Sequence, residues 1–90
     1  MSITGESLVT TAGTPVPLAT PQAVNGPLMI KALNSNTDLV YVCGQGDDGV
    51  TGMHLLKNEF IIYDFVGDLS TIYVDSLIDG EGVRWALLVV

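Results

Sequence analysis

Two side chains in this sequence could act as a nucleophile or a general base. Cys43 is the only cysteine and His54 the only histidine. A catalytic cysteine needs a nearby base or a helix N-terminus to lower its pKa, and a catalytic histidine needs a partner within a pocket. Cys43 ends an apolar segment that has no helical pattern around it, so we predict a buried thiol. For His54 we predict a surface or packing role, and a small enzyme built on this pair stays as an alternative hypothesis.

Carboxylates in glycine-rich turns are the second candidate for chemistry. Asp47 and Asp48 lie in one such turn, and Asp75, Asp79 and Glu81 flank another. Loop carboxylates can bind Ca²⁺, but the spacing of these residues matches no calcium-binding loop. Asp and Gly are also the residues that tight turns require on backbone grounds. We therefore predict solvated turn residues, and no metal site.

Residues 44–49 read G-Q-G-D-D-G, which superficially resembles a nucleotide-binding G-x-G-x-x-G motif. That motif works at the start of a helix, where backbone N–H groups face the phosphates. Residues 50–52 (V-T-G) begin no helical pattern, so we predict no cofactor.

The aromatic residues could form a carbohydrate-binding platform if one face of a sheet exposed them. Packing in a core or a subunit interface is the more ordinary use of aromatic residues in strands. We predict packing for Tyr41, Phe60, Tyr63, Phe65, Tyr73 and Trp85.

The composition limits the chain to one small domain and excludes several classes of partner. Its 90 residues are 48% apolar and 14% charged, with a net charge of −7. An acidic chain lacks the basic patch that nucleic acids and anionic membranes require. The N-terminus has no signal-peptide pattern, and the longest apolar run, residues 85–90, is too short to span a bilayer. We therefore expect synthesis and folding in the cytoplasm.

Short apolar segments separated by Gly, Pro, Asn and Asp recur roughly every 10–12 residues, which is typical of an all-β protein. No connection is long enough for a crossover helix, so we expect antiparallel pairing. The predicted fold is a small antiparallel β-sandwich, jelly-roll-like or Ig-like, over residues 27–90. Residues 1–26 contain three prolines and are predicted to form an extended N-terminal arm or edge strand. Strands are predicted at 28–33, 39–43, 53–56, 59–65, 70–74 and 83–90.

The last predicted strand is apolar on both faces. Residues 79–82 (D-G-E-G) predict a hairpin that joins it to the preceding strand. A strand with one wet face alternates apolar and polar residues, so we expect the N-terminal arm or a neighbouring subunit to cover the second face. A domain this small cannot enclose all of its apolar side chains, and exposed apolar patches mark partner-binding surfaces. We predict interface positions at Leu8, Val9, Val16, Leu18, Tyr73, Trp85, Leu87 and Val89.

Several segments occur in an order and spacing similar to those of a known family. The segments are Val16 to Leu18, a strand at 28–33, Leu39 to Val42 followed by Gly44, Gly52 with Leu55 and Glu59, Asp68 to Val74, and Gly82 to Trp85. Over residues 14–90 this arrangement resembles the small β-sandwich virion proteins of tailed bacteriophages, the capsid decoration or cement type.

The resemblance implies a structural protein without chemistry. It implies a phage virion protein, made in the host bacterial cytoplasm, that stabilises the shell by packing between subunits. Its partners would be the major capsid protein or other virion subunits, and it would form a homo-oligomer, with a trimer favoured. The alternative is a tail or fibre component that binds a cell-surface glycan through exposed aromatic residues and loop carboxylates.

Overall fold

The computed structural model describes residues 4–44 and 52–88. Within these residues the chain is built from β-strands with one short 3-10 helix, Leu69–Thr71. The predicted antiparallel β-sandwich is confirmed. The strands are β1 (Thr4–Leu8), β2 (Val16–Pro17), β3 (Ala23–Ala32), β4 (Val40–Gly44), β5 (Met53–Leu55), β6 (Phe60–Asp68), β7 (Ile72–Ser76) and β8 (Gly82–Leu87).

Two four-stranded sheets form the layers of the sandwich. Sheet A has the strand order β1-β8-β3-β6, and sheet B has the order β2-β7-β4-β5. Adjacent strands pair antiparallel throughout. The core between the sheets includes Val9, Leu18, Leu28, Ile30, Val40, Val42, Leu69, Val74, Val83 and Trp85.

Residues 4–26 contribute one edge strand to each sheet. Thr4 pairs with Ala86 at one end of β1, and β2 pairs with β7. Between these two strands the backbone of Val9 is bonded on both sides, because its N–H donates to the Glu81 oxygen at 2.8 Å and its oxygen accepts from the Gly80 N–H at 2.7 Å. β3 begins at Ala23, so it runs across the boundary at residue 26 that the sequence suggested.

The turn at residues 79–82 does not form the predicted hairpin. β7 belongs to sheet B and β8 to sheet A, so this connection crosses between the layers. Gly80 has the positive φ, 84°, that a tight glycine turn uses. Turn residues indicate that the chain reverses direction, but they do not determine which strand pairs with the strand that follows. β8 pairs with β1 and β3 instead.

The N-terminal segment does not cover the second face of the closing strand. β1 lies beside β8 in the same sheet, paired from Thr4 with Ala86 to Leu8 with Gly82. Backbone pairing satisfies the edge of β8 but leaves its outward-facing side chains uncovered. The described part of the N-terminal arm, residues 4–26, therefore does not cover this face, and cover by a neighbouring subunit, the other expectation, stays a prediction.

The connection between β5 and β6 positions the far edge of sheet A. Asn58 has a φ of 67°, a left-handed conformation that asparagine tolerates better than most residues. Its N–H donates to the Ala32 oxygen at 3.2 Å, and the Glu59 carboxylate accepts from the Leu56 N–H at 2.7 Å. These bonds start β6 in a fixed register against β3.

Candidate assembly surface

The side chains of β8 alternate between the core and the outer surface of sheet A, as pleated strands require. Val83, Trp85 and Leu87 are buried in the core. Arg84 and Leu88 are exposed. Because directly paired residues of antiparallel strands share one side of a sheet, the register identifies the rest of this surface. The outer face of sheet A, as we name it, comprises Thr4, Glu6, Leu8, Met29, Lys31, Phe60, Ile62, Arg84, Ala86 and Leu88.

An apolar band crosses the outer face of sheet A. Met29 pairs with Ile62 on one side and with Ala86 on the other. Phe60 and Leu88 continue the band along β6 and past the end of β8. Phe60, Ile62 and Leu88 expose 57%, 46% and 49% of their surfaces. Single exposed apolar side chains are common, whereas a contiguous group of them indicates an interaction surface.

The outer face carries one negative side chain, Glu6, and two positive ones, Lys31 and Arg84, and the exposed Asp64 at its margin balances the remaining charge. Arg84 Nε donates to Glu6 Oε2 at 3.1 Å, and Lys31 pairs with Arg84 across the strands. The carboxylate of Asp64 is exposed on β6, at the opposite margin from Glu6. The chain carries a net charge of −7, so this negative charge lies elsewhere on the molecule. A neutral surface can approach an acidic partner without the repulsion that the other surfaces would meet.

An open polar groove borders the outer face beside the end of β3. It has a volume of about 470 Å³, and its lining includes Glu6, Lys31, Arg84, Asn34 and Asn58. The Arg84–Glu6 pair is largely exposed, so it contributes at most about 1 kcal/mol to stability. Polar groups of this kind are usual at the rim of a protein interface, where they hydrogen-bond to a partner.

The two candidates for nucleophilic or base chemistry lie in sheet B. Cys43 on β4 is buried, as predicted. His54 is exposed on β5, and its ring contacts that of Tyr41 edge to face, with 6.5 Å between centroids. Burial raises the pKa of the Tyr63 hydroxyl, and Cys43 adds to this rise. The thiol is therefore buried, whereas the imidazole faces solvent.

The described turn carboxylates accept hydrogen bonds from backbone N–H groups, and Asp75 and Glu81 are buried rather than solvated as predicted, whereas Asp79 is exposed. Asp75 accepts from the Gly13 N–H at 3.0 Å, and Asp79 accepts from the Ala12 N–H at 2.7 Å. The described residues contain no cluster of three potential metal ligands. Asp47, Asp48 and the rest of the G-x-G-x-x-G segment after Gly44 lie outside the described residues. The acidic side chains therefore hold the N-terminal segment onto sheet B.

Two further carboxylates fix loops in the same way. Glu81 is buried and accepts from the Thr37 N–H at 2.6 Å and from the Thr37 hydroxyl at 2.9 Å. Asp68 caps the 3-10 helix, where the backbone N–H of Ser70 and then its hydroxyl lower the pKa of the Asp68 carboxyl. The sequence predicted the turn that contains Glu81, but it did not indicate which backbone groups either carboxylate would bind.

The residues predicted at interfaces fall into three groups. Leu8 is exposed, and Val16 and Tyr73 are half-buried. Val89 lies outside the described residues. The remaining four, Val9, Leu18, Trp85 and Leu87, are buried in the chain's own core. These four cannot contact a partner while the sandwich stays folded, because their side chains point between the two sheets.

The apolar band contains residues that the sequence reasoning missed. Met29, Phe60 and Ile62 were assigned to strands, but not to a shared surface. The alternation along β8 was visible in the sequence, and it separates Ala86 and Leu88 from the core residues. The pairing of Met29 with Ile62 requires the sheet order, which no local pattern supplies.

Comparisons with known proteins leave the chain without an assigned relative. Within the described residues, no helix is long and apolar enough to cross a membrane. No family model, no curated protein and no solved structure matches this chain at a significant level.

Proposed function

We propose that this chain is a structural subunit of a phage virion, of the capsid decoration or cement type. It would dock the outer face of sheet A against the major capsid protein or another virion subunit and would perform no catalysis. The observation that carries this proposal is the exposed apolar band on that face. The resemblance of residues 14–90 to small virion β-sandwiches supplies the biological setting.

The energy available from the apolar band favours many weak contacts over one strong contact. Removing a half-exposed large apolar side chain from water contributes roughly 1 kcal/mol. Phe60, Ile62 and Leu88 together would therefore contribute about 3 kcal/mol. Association costs at least about 4 kcal/mol in lost translational and rotational freedom. A shell that presents many equivalent sites, with added polar contacts at the rim, suits a surface of this strength.

The positions of the aromatic residues do not favour the glycan-binding alternative. A glycan platform needs exposed aromatic rings on one surface. Tyr41 and Trp85 are buried, whereas Tyr63 and Tyr73 are half-buried. Phe60 is the only aromatic residue with a described side chain that is mostly exposed, and it belongs to the apolar band.

The proposal is tested by co-sedimentation of the purified chain with empty capsids of the phage that encodes it. Leu88 on the outer face and Leu77 in the turn after β7 form a matched pair, since their exposed fractions are 49% and 48%. Leu88→Lys should weaken binding at least about tenfold, which corresponds to 1.4 kcal/mol. Leu77→Lys should bind like the wild type. Absence of wild-type binding, or an equal loss in both variants, contradicts the proposal.

A further inference from the structure

One of the four sheet edges differs from the other three. β2 has two residues and contains Pro17, β5 has three residues, and β1 has five with the charged Glu6 at its centre. Short strands, prolines and charged residues are the usual protection of an edge against pairing with another chain. β6 forms the fourth edge. It runs for nine residues without proline, and its first four residues, Phe60 to Tyr63, carry no charge, although Asp64 and Asp68 follow.

The backbone of β6 offers unpaired hydrogen-bonding groups at this edge. The Ala32 N–H donates to the Glu59 oxygen at 2.9 Å, which fixes the phase of the ladder between β3 and β6. Because bonded groups alternate along an antiparallel pair, the backbones of Ile61 and Tyr63 face β3. Those of Phe60 and Ile62 face away from the sheet. Their side chains are also the exposed apolar residues of β6.

The regular part of the edge is short and well defined. Residues 60–63 pair with β3 in continuous register, from Lys31 with Phe60 to Leu28 with Tyr63. Beyond them the register shifts twice before Asp68 pairs with Ala23. Irregularities of this kind twist a strand and interrupt its edge. An incoming strand would therefore find its hydrogen-bond partners between Phe60 and Ile62.

We propose that β6 pairs with β6 of a second copy of this chain, antiparallel and about a two-fold axis at Ile61. Phe60 of one copy would then lie opposite Ile62 of the other, twice, which gives four backbone hydrogen bonds. Aromatic and β-branched side chains are favourable partners across strands. Asp64 would lie opposite Asn58 of the second copy, so no like charges meet. The two sheets A would form one eight-stranded sheet with a continuous apolar band.

A second copy suits this edge for electrostatic reasons as well. The outer face beside β6 has balanced charges, although the chain carries −7. In this pairing Glu59 and Asp64 of one copy lie opposite Tyr63 and Asn58 of the other, so the acidic residues at the edge do not face one another. The two-fold contact is self-complementary and closes as a dimer. The trimer expected from the resemblance would instead need two different patches of the chain to meet.

Sedimentation equilibrium over a concentration series tests the dimer, with 9.5 kDa as the monomer mass. Ile62→Lys should give a monomer with native circular dichroism, because Ile62 is exposed and its backbone bonds outward. Met53→Lys is the control, since Met53 is a comparably exposed apolar residue, 58%, on the protected edge β5. It should dimerise like the wild type. Wild type that stays monomeric, or a trimer, overturns the proposal.

Amide hydrogen exchange separates edge pairing from contact through the outer face. Edge pairing should slow exchange of the Phe60 and Ile62 N–H groups at least about tenfold as the protein is concentrated. A face-to-face dimer would leave these amides exchanging freely and would also overturn the proposal. Capsid binding is an independent result, because a monomer that binds shells refutes only the pairing. A dimer that does not bind shells refutes only the proposed virion role.

Discussion

The side chain of Asn36 hydrogen-bonds both backbone groups of Gly82, as the backbone of a neighbouring strand would. It is buried, its Nδ2 donates to the Gly82 oxygen at 2.9 Å, and its Oδ1 accepts from the Gly82 N–H at 3.3 Å. Gly82 cannot move away to find other partners, because β1 packs so closely that a Cβ there would overlap the Ser7 oxygen. Replacing Asn36 by alanine should therefore destabilise the start of β8.

The size of this effect follows from the groups that lose partners. The Gly82 oxygen keeps a second donor, the Leu33 N–H at 3.2 Å, so only the Gly82 N–H is left without a partner. A lost hydrogen bond costs about 1 kcal/mol, and a buried unsatisfied N–H costs about 1–3 kcal/mol. We expect Asn36→Ala to lower the free energy of unfolding by about 2–3 kcal/mol. The melting temperature of a domain of this size should then fall by at least about 8 °C.

Urea denaturation followed by Trp85 fluorescence measures the loss directly. Asn34→Ala is the matched control, because Asn34 is an exposed residue of the same turn. It should change the free energy of unfolding by less than about 0.5 kcal/mol. Asn36→Asp keeps an acceptor for the Gly82 N–H, but when ionised it buries a negative charge against the Gly82 oxygen, so it should lose at least as much as Asn36→Ala. Equal stability of Asn36→Ala and Asn34→Ala would refute the reasoning.

Three further measurements address the core, the capping carboxylate and the thiol. Gly5→Val should lower the free energy of unfolding by about 1–3 kcal/mol, because a Cβ at Gly5 would lie 2.6 Å from the Trp85 ring; unchanged urea unfolding would contradict this. Asp68 has a lowered pKa because Ser70 stabilises its charged form. Its contribution should be complete above about pH 4 and lost as the pH falls through the lowered pKa. The stability advantage of wild type over Asp68→Asn should therefore shrink in acid, and a constant difference would argue against it. A thiol reagent should label buried Cys43 only as fast as the chain unfolds, and rapid labelling of native protein would contradict the fold.

The sequence predicted the strands because their signals are local. Turn residues at short intervals and β-branched segments indicate β3 to β8, although β3 begins five residues earlier, at Ala23, and β6 ends three residues later, at Asp68, than predicted. Even the turn before β6, which lacks glycine, works because Asn58 takes the left-handed conformation itself. The 3-10 helix was missed because Asp68 and Ser70 form its cap within a segment that otherwise reads as a strand.

The sheet order could not be predicted in the same way. The turn at 79–82 has the residues of a hairpin, yet it links the two layers. The difference comes from long-range contacts, such as the Asn36 amide that occupies the Gly82 backbone and the Glu81 carboxylate that binds Thr37. Residues more than 40 positions apart in the chain make these bonds, so no short window of sequence contains both partners.

The sequence also could not predict which apolar side chains form the outer face of sheet A. Excess apolar composition correctly suggested that some apolar side chains face solvent, but it could not say which ones. Trp85 and Leu87 are buried, whereas Ala86 and Leu88 face outward. The alternation of side chains along β8 determines which of its residues face outward. The pairing of β3 with β6 and β8 determines that Met29 and Ile62 lie on the same outer face as Ala86 and Leu88.

The core of the sandwich explains how one chain can fold alone, and the outer face of sheet A offers a surface for assembly. Among the described residues, no buried side-chain nitrogen or oxygen lacks a hydrogen-bond partner, and the core closes around Val83 and Trp85 within one chain. A protomer that satisfies its own interior does not need a partner in order to fold, unlike an obligate subunit with an interface that resembles a divided core. Four of the eight large apolar side chains that are exposed in the described residues lie on the outer face of sheet A, and the other four lie on β5 or in turns. A self-sufficient core beside such a face suits a subunit that folds first and joins an existing assembly afterwards, with binding weak enough for each copy to depend on its neighbours.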